Sequence, residues 1–201
     1  MKTLLFAAAC AVVMAGHAKE ANLIDEALPS ADGWSLFGIA FMPATYFQFP
    51  GTASDVDGLR LGLTVGRNRQ VNGIDIGAIG SWADGEINGL SCSGLYKQCG
   101  GAAFGIHMAS AMNYASGRLN GCQASLVNSA YCVNGLQLGL VNYVSEGNGL
   151  QIGAFNIAET LRGIQIGLVS ATMNCSGVQI GLGNIIGESP LTACVFLNAW
   201  F

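Results

Sequence analysis

Few residues in this chain are of the types that do chemistry. Once residues 1–18 are set aside, His107 is the only histidine, so imidazole catalysis would have to centre on it. A lone imidazole cannot build the multi-histidine sites that hold zinc. Six cysteines follow residue 18: Cys92, Cys99, Cys122, Cys132, Cys175 and Cys194. None are spaced C-x-x-C, which disfavours thiolate metal ligation. In an exported chain an even number could form disulfides, and Cys92–Cys99 and Cys122–Cys132 are the pairs close in sequence. The alternative makes Cys92, Cys122 and Cys175 small buried hydrophobes. Arg60 and Asp75 are charged candidates at equivalent places in neighbouring repeats, where they could pair across strands. As an exposed pair they would contribute little. The glycine-rich fragments at Gly62–Gly66 and Gly181–Gly183 precede no helix and no phosphate-binding lysine, so they do not read as nucleotide cradles. The expectation is a non-enzymatic protein, with no catalytic, metal or cofactor residues.

These residues sit in a short repeat. The chain reads GLQLGLVNYVSEGN, GLQIGAFNIAETLR and GIQIGLVSATMNCS from Gly135, then GVQIGLG from Gly177, with a period of 14. Written as Gly–apolar–x–apolar–small–x–x–Asn, the unit also begins at Gly58, Gly73, Gly89, Gly105 and Gly121, in steps of 14 to 16, giving nine copies. The second and fourth columns are always apolar or Cys. Period-two alternation reads as a strand with one buried face, so these columns are expected to face inward. The third column holds Arg60, Asp75, Ser91, His107, Gln123, Gln137, Gln151, Gln165 and Gln179. It is expected to form an outward polar face. Recurrent glycine in a strand suggests close backbone approach. Asn128, Asn142, Asn156 and Asn184 are expected at turns.

The rest of the chain frames this array. Residues 1–18 have a lysine start, an apolar run and small residues at 16 and 18, the pattern of a secretory signal. Residues 19–33 read as a linker. Residues 34–57 read as an N-terminal cap or first strand, 58–190 as the nine glycine-rich repeats, and 191–201 as a C-terminal cap or closing strand. Hydrophobic residues make up 51% of the chain and charged ones 10%, which excludes the disordered class and is sparse for a soluble surface. The net charge of −4, with no basic stripe, disfavours nucleic acid as a partner.

Two all-β architectures fit. One is a β-solenoid of about nine 14–16-residue coils with non-repeat end strands, in which the glutamines would form an amide ladder. The other is a transmembrane antiparallel β-barrel of about 10–12 strands, with the glutamine column in the lumen. Equivalence of every unit to the next favours the solenoid, because in a barrel only alternate strands are equivalent.

The G-x-Q-x-G-x-x-N unit, together with the opening GLRLGLTVGRN at Gly58–Asn68 and the closing 190–201 segment, resembles a family of bacterial surface-repeat proteins. The copies from Gly89 to Ser125 depart from that pattern, with Ser, Cys, Ala and His at its usual Gly or Gln positions. The resemblance implies an exported protein of the cell surface, outer membrane or periplasm, and supplies no catalytic residues. Partners are then expected in the cell envelope or outer membrane, with self-association through the end strands. The structural or adhesive role of a solenoid, and the pore role of a barrel, are the two functional expectations.

Overall fold

The computed structural model describes residues 33–40, 48–49, 51, 54–187 and 193–200. The signal segment, the linker up to residue 32 and parts of both end caps lie outside these residues. All the described residues belong to one unit spanning Ala31–Phe201.

The chain winds as a β-solenoid. The strands are β1 (Trp34–Ala40), β2 (Gln48–Phe49), β3 (Asp55–Gly62), β4 (Val65–Asn68), β5 (Gln70–Gly77), β6 (Gly80–Ala83) and β7 (Ile87–Ser93). They continue as β8 (Tyr96–Cys99), β9 (Ala103–Ala109), β10 (Met112–Ala124), β11 (Val127–Leu138), β12 (Val141–Ile186) and β13 (Ala193–Trp200). Along one side, β3, β5, β7, β9, β10, β11 and β12 pair in parallel, with a register shift between Ala115 and Arg118 in the β10–β11 pair. Short β4, β6 and β8 form a second parallel run that continues into β10. Parallel pairing of every repeat with the next belongs to a solenoid and is incompatible with the antiparallel barrel. The coil count differs slightly from nine. Six turns of paired strands separate Gly58 from Gly149, and β12 then winds on through Gly163 and Gly177 as one continuous strand of 46 residues.

Strands outside the repeat lie at both ends of the array. β1 lies parallel to β3 and takes β2 antiparallel beside it. β13 runs antiparallel along the last coil, from Gly177 opposite Trp200 to Ile185 opposite Ala193. Its register slips between Gly181 and Asn184, beside Phe196 at a φ of 71°.

The glycine that opens each repeat sets the winding. From Gly58 to Gly163 these glycines have φ between 110° and 151°, where side chains are strained. They also stack directly. A Cβ added to Gly149 would collide with the carbonyl oxygen of Gly135, and one added to Gly163 with that of Gly149. The close approach suggested by recurrent glycine is therefore backbone on backbone.

The orientation of the columns is the reverse of that expected. The third column is sealed inside: Arg60 is 2% exposed, His107 1% and Gln137 0%. The second and fourth columns face out, with Ile76, Ile106, Ile152, Ile164, Ile166 and Ile180 all exposed. The reason is the narrowness of a 14-residue coil. The small fifth position shares parity with the third, so the thin side of the strand is the crowded interior. The asparagine column is also interior and extended, not at turns. The remaining interior is aliphatic and small, with Ile87, Leu119, Val133, Val144, Ala158 and Leu161 among its members. Met173 and Cys175 do not share a face despite their spacing, for Met173 is exposed and Cys175 buried.

Gly149→Ala should lower unfolding stability by about 3 kcal/mol or more, since it adds a side chain at positive φ against a fixed carbonyl. Gly183→Ala, which would meet only a Val169 methyl at 4.0 Å, should be nearly neutral. Urea midpoints of the two variants check this.

Candidate functional site

The interior polar columns hold the residues singled out in the sequence. From Gln123 onward the third column is an amide ladder. Gln137 donates from Nε2 to Gln123 Oε1 at 3.1 Å, Gln151 to Gln137 at 2.7 Å, Gln165 to Gln151 at 2.7 Å and Gln179 to Gln165 at 2.8 Å. Parallel strands place the same atom of each coil one strand spacing from the next, so a planar amide can donate in one direction and accept from the other. Thr172 reinforces the end of the ladder, donating to Gln165 and accepting from Gln179 at 3.0 Å each.

A second ladder faces it. Asn128 donates from Nδ2 to Asn142 Oδ1, and Asn142 to Asn156, each at 2.9 Å. The same Nδ2 groups donate to the carbonyl oxygens of Leu138, Ile152 and Ile166, clipping the two sides of the coil together. The glutamines donate toward the N-terminal coil and the asparagines toward the C-terminal one, so the two sets of amide dipoles oppose each other.

In the first three repeats the same columns carry charge. Arg60 forms a two-pronged ion pair with Asp75, Nε to Oδ1 at 2.7 Å and Nη2 to Oδ2 at 2.8 Å. Arg60 also donates to Asn68 Oδ1, the Trp82 carbonyl and Ser81 Oγ. Asp75 accepts in addition from Ser81 and Ser91. The expected cross-strand pairing is present, but it is buried and fully ligated, unlike an exposed pair of little worth. Burial alone would raise the Asp75 carboxyl. The Arg60 charge and the hydrogen bonds from Arg60, Ser81 and Ser91 outweigh that and hold it below the usual carboxylate range.

His107, in the same column, meets the Lys97 amine through Nδ1. Burial pushes Lys97 down to about 7, with the nearby Asp75 charge working against the shift. Burial, followed by the Lys97 charge, pushes His107 down to about 3. The imidazole is therefore neutral near pH 7, and its Nδ1 shares a hydrogen bond with the amine. Lys97 was missed in the sequence because it sits in the asparagine column, paired with Ser81 on one side and Asn113 on the other. Its place eight residues after Gly89, matching Ser81 after Gly73 and Asn113 after Gly105, was the available signal.

Arg60, Asp75, Lys97 and His107 thus form one sealed junction in the polar core, out of reach of a substrate from solvent. Ser91 links it to Asp75, and the glutamine ladder begins at Gln123, paired with His107 across neighbouring strands. Among the described residues, no cluster of three or more His, Cys, Asp or Glu side chains could hold a metal ion. The cysteines Cys92, Cys99, Cys122, Cys132, Cys175 and Cys194 are free thiols. Cys99 points inward against the carbonyls of Gly85, Gly101 and Ala102. Cys92 and Cys122 belong to the outward columns and are only partly buried, contrary to the inward placement expected of them.

The accessible surface is strongly divided. No residue of the outward second and fourth columns is charged. Exposed charge gathers elsewhere, as in the Arg67–Asp84 and Arg69–Asp55 pairs and the Tyr143–Glu159 hydrogen bond. Arg67 also lies over the Trp82 ring, 5.2 Å from its centre.

Gln151→Leu should cost about 2–3 kcal/mol, because it orphans the Gln137 acceptor and the Gln165 donor in a dry interior. Chemical denaturation of Gln151→Leu beside the outward Ile152→Ala checks this, with the outward change expected to matter less. Stability should also depend on pH through Lys97. Its folded value is depressed, so the unfolded chain binds more protons between about 7 and its ordinary value of 10.5. Stability should therefore rise with pH across this window. The rise is best read between pH 7 and 9, before ionisation of the buried Cys99 thiol, which burial raises, opposes it. Lys97→Met should flatten the slope in urea titrations over that range. Compared with protein-family models, curated proteins and solved structures, the chain matches none.

Proposed function

We propose that this chain is an exported, non-enzymatic repeat protein with a structural or interaction role at the cell envelope. The observation that carries the reading is the disposition of its polar groups. The side chains best suited to chemistry are spent on one another inside the coil, in the Gln and Asn ladders and the Arg60–Asp75 and Lys97–His107 contacts. What the protein offers to its surroundings includes a regular sheet face whose second and fourth columns carry no charge, which suits assembly or adhesion. The pore role fell with the barrel. The leader-like residues 1–18 and the resemblance of the G-x-Q-x-G-x-x-N array to surface-repeat proteins support export.

Fractionation of cells expressing the full chain, with N-terminal sequencing of the product, tests this reading. The expected product begins at Lys19 and lies outside the cytoplasm, in the envelope, periplasm or medium. An unprocessed chain that stays in the cytoplasm would contradict it.

A further inference from the structure

The outward second and fourth columns, with the sixth beside them, make a mostly aliphatic sheet face running from Gly58 to Leu182. Within the second and fourth columns Ile106 is the most open member, at 50% exposure, and in the sixth Leu63, Leu126, Leu140, Leu168 and Leu182 are exposed as well. The three columns span about five residues, so with strand spacing of about 4.8 Å and a rise of about 3.3 Å per residue the face is about 38 Å long and about 17 Å wide, or about 650 Å². That exceeds what soluble monomers ordinarily leave bare. It also falls within the range of about 600–1,000 Å² that each partner buries in a stable dimer.

The face is not uniform. Its N-terminal half is hollowed into an open trough of about 600 Å³, bordered by Ile76, Cys92, Met108 and Ala124. The hollow exists because the sixth column there holds only Ala78, Gly94 and Ser110, and the fourth has Cys92 and Ala124. The C-terminal half is raised by the exposed Leu126, Leu140, Leu168 and Leu182 of the sixth column. A two-fold axis lying in the interface plane, along the strand direction at Cys122 in the middle repeat, sets the raised half of one copy on the hollow half of the other. Ile152 then lies opposite Cys92, and Ile166 opposite Ile76. Such self-complementarity is what an isologous interface requires. Rows with the same strand spacing on both copies can interdigitate, as in packed sheets about 10 Å apart. A lipid surface fits less well. The columns hold no Trp, Tyr, Lys or Arg, so the basic anchors of interfacial binding are missing from the face, and Phe37, beside Leu59, borders only its N-terminal end.

We propose that this face is the docking surface for a second copy of the same chain, packed face to face and antiparallel. Sedimentation equilibrium of the purified mature chain tests it, with circular dichroism confirming that each variant keeps its strand content. The wild type is expected to be a dimer. Ile152→Lys and Ile166→Lys should each raise the dimer Kd by about 100-fold or more, since each buries an unpaired charge at the interface. Tyr131→Lys, at an exposed site outside the two columns, should leave the Kd unchanged. A wild type that is monomeric at high micromolar concentration would overturn the proposal. So would a dimer insensitive to both isoleucine variants but broken by Leu197→Lys on β13, which would place the contact at the end strand. A monomer that sediments with neutral phosphatidylcholine vesicles, and loses this with Ile152→Lys, would assign the face to lipid instead.

Discussion

The stacking of one glycine on the next is the constraint from which the rest of this structure follows. From Gly58 to Gly163 each repeat opens with a backbone conformation that only glycine adopts readily, and from Gly73 onward the missing side chain leaves room for the carbonyl of the glycine one turn earlier. This fixes one point of every coil on a common axis. With that point fixed, the residues between glycines have a defined parity, and every equivalent atom lies one strand spacing from its counterpart. The changes of repeat length near the N-terminal end are absorbed in the corners, because glycine pairs with glycine at every step from Gly58 to Gly149.

A polar core is tolerable only because of this alignment. Burying an isolated glutamine side chain costs the hydrogen bonds it made with water. Stacked in a column, Gln151 recovers one as donor to Gln137 and one as acceptor from Gln165. The gain needs exact repetition, and where the sequence departs from the repeat the column must be satisfied by other means. Asp75 and Arg60 neutralise each other, Ser81 and Ser91 complete the carboxylate, and Lys97 and His107 bridge the approach to the ladder. His107 Nε2, Asn113 Oδ1 and, at the C-terminal end, Gln179 Oε1 have no hydrogen-bond partner among the described residues. The unsatisfied groups thus cluster where the repeat is irregular or stops.

The period and the parity of the repeat were legible in the sequence; its inside and outside were not. The spacing of Gly135, Gly149, Gly163 and Gly177 and the equivalence of successive units led to a solenoid with end strands. The likeness of position between Arg60 and Asp75 led to their pairing. Hydropathy then pointed the wrong way, because Leu and Ile alternate with Gln and the usual rule buries the apolar set. The residues that could have corrected it are Gly139, Gly153, Gly167 and Gly181, which share parity with the glutamines and mark the side too narrow for Leu. The asparagines were misplaced for a related reason. Asn favours turns in isolation, whereas in a column Asn142 finds an amide partner and a carbonyl on the facing side. Lys97 was hidden because its role depends on His107, which is not adjacent in the repeat but meets it across the coil.

The central claim is that the amides are inside and the aliphatic rows outside. Nuclear magnetic resonance with a soluble paramagnetic agent measures both at once in the full mature chain carrying Ile152→Lys, which leaves the aliphatic face free of a second copy. Strong relaxation enhancement of the Ile106 and Met108 methyl groups, with the side-chain amides of Gln137, Gln151 and Gln165 unaffected, is the predicted result. Enhanced glutamine amides beside shielded methyl groups of Ile106 and Met108 would contradict it.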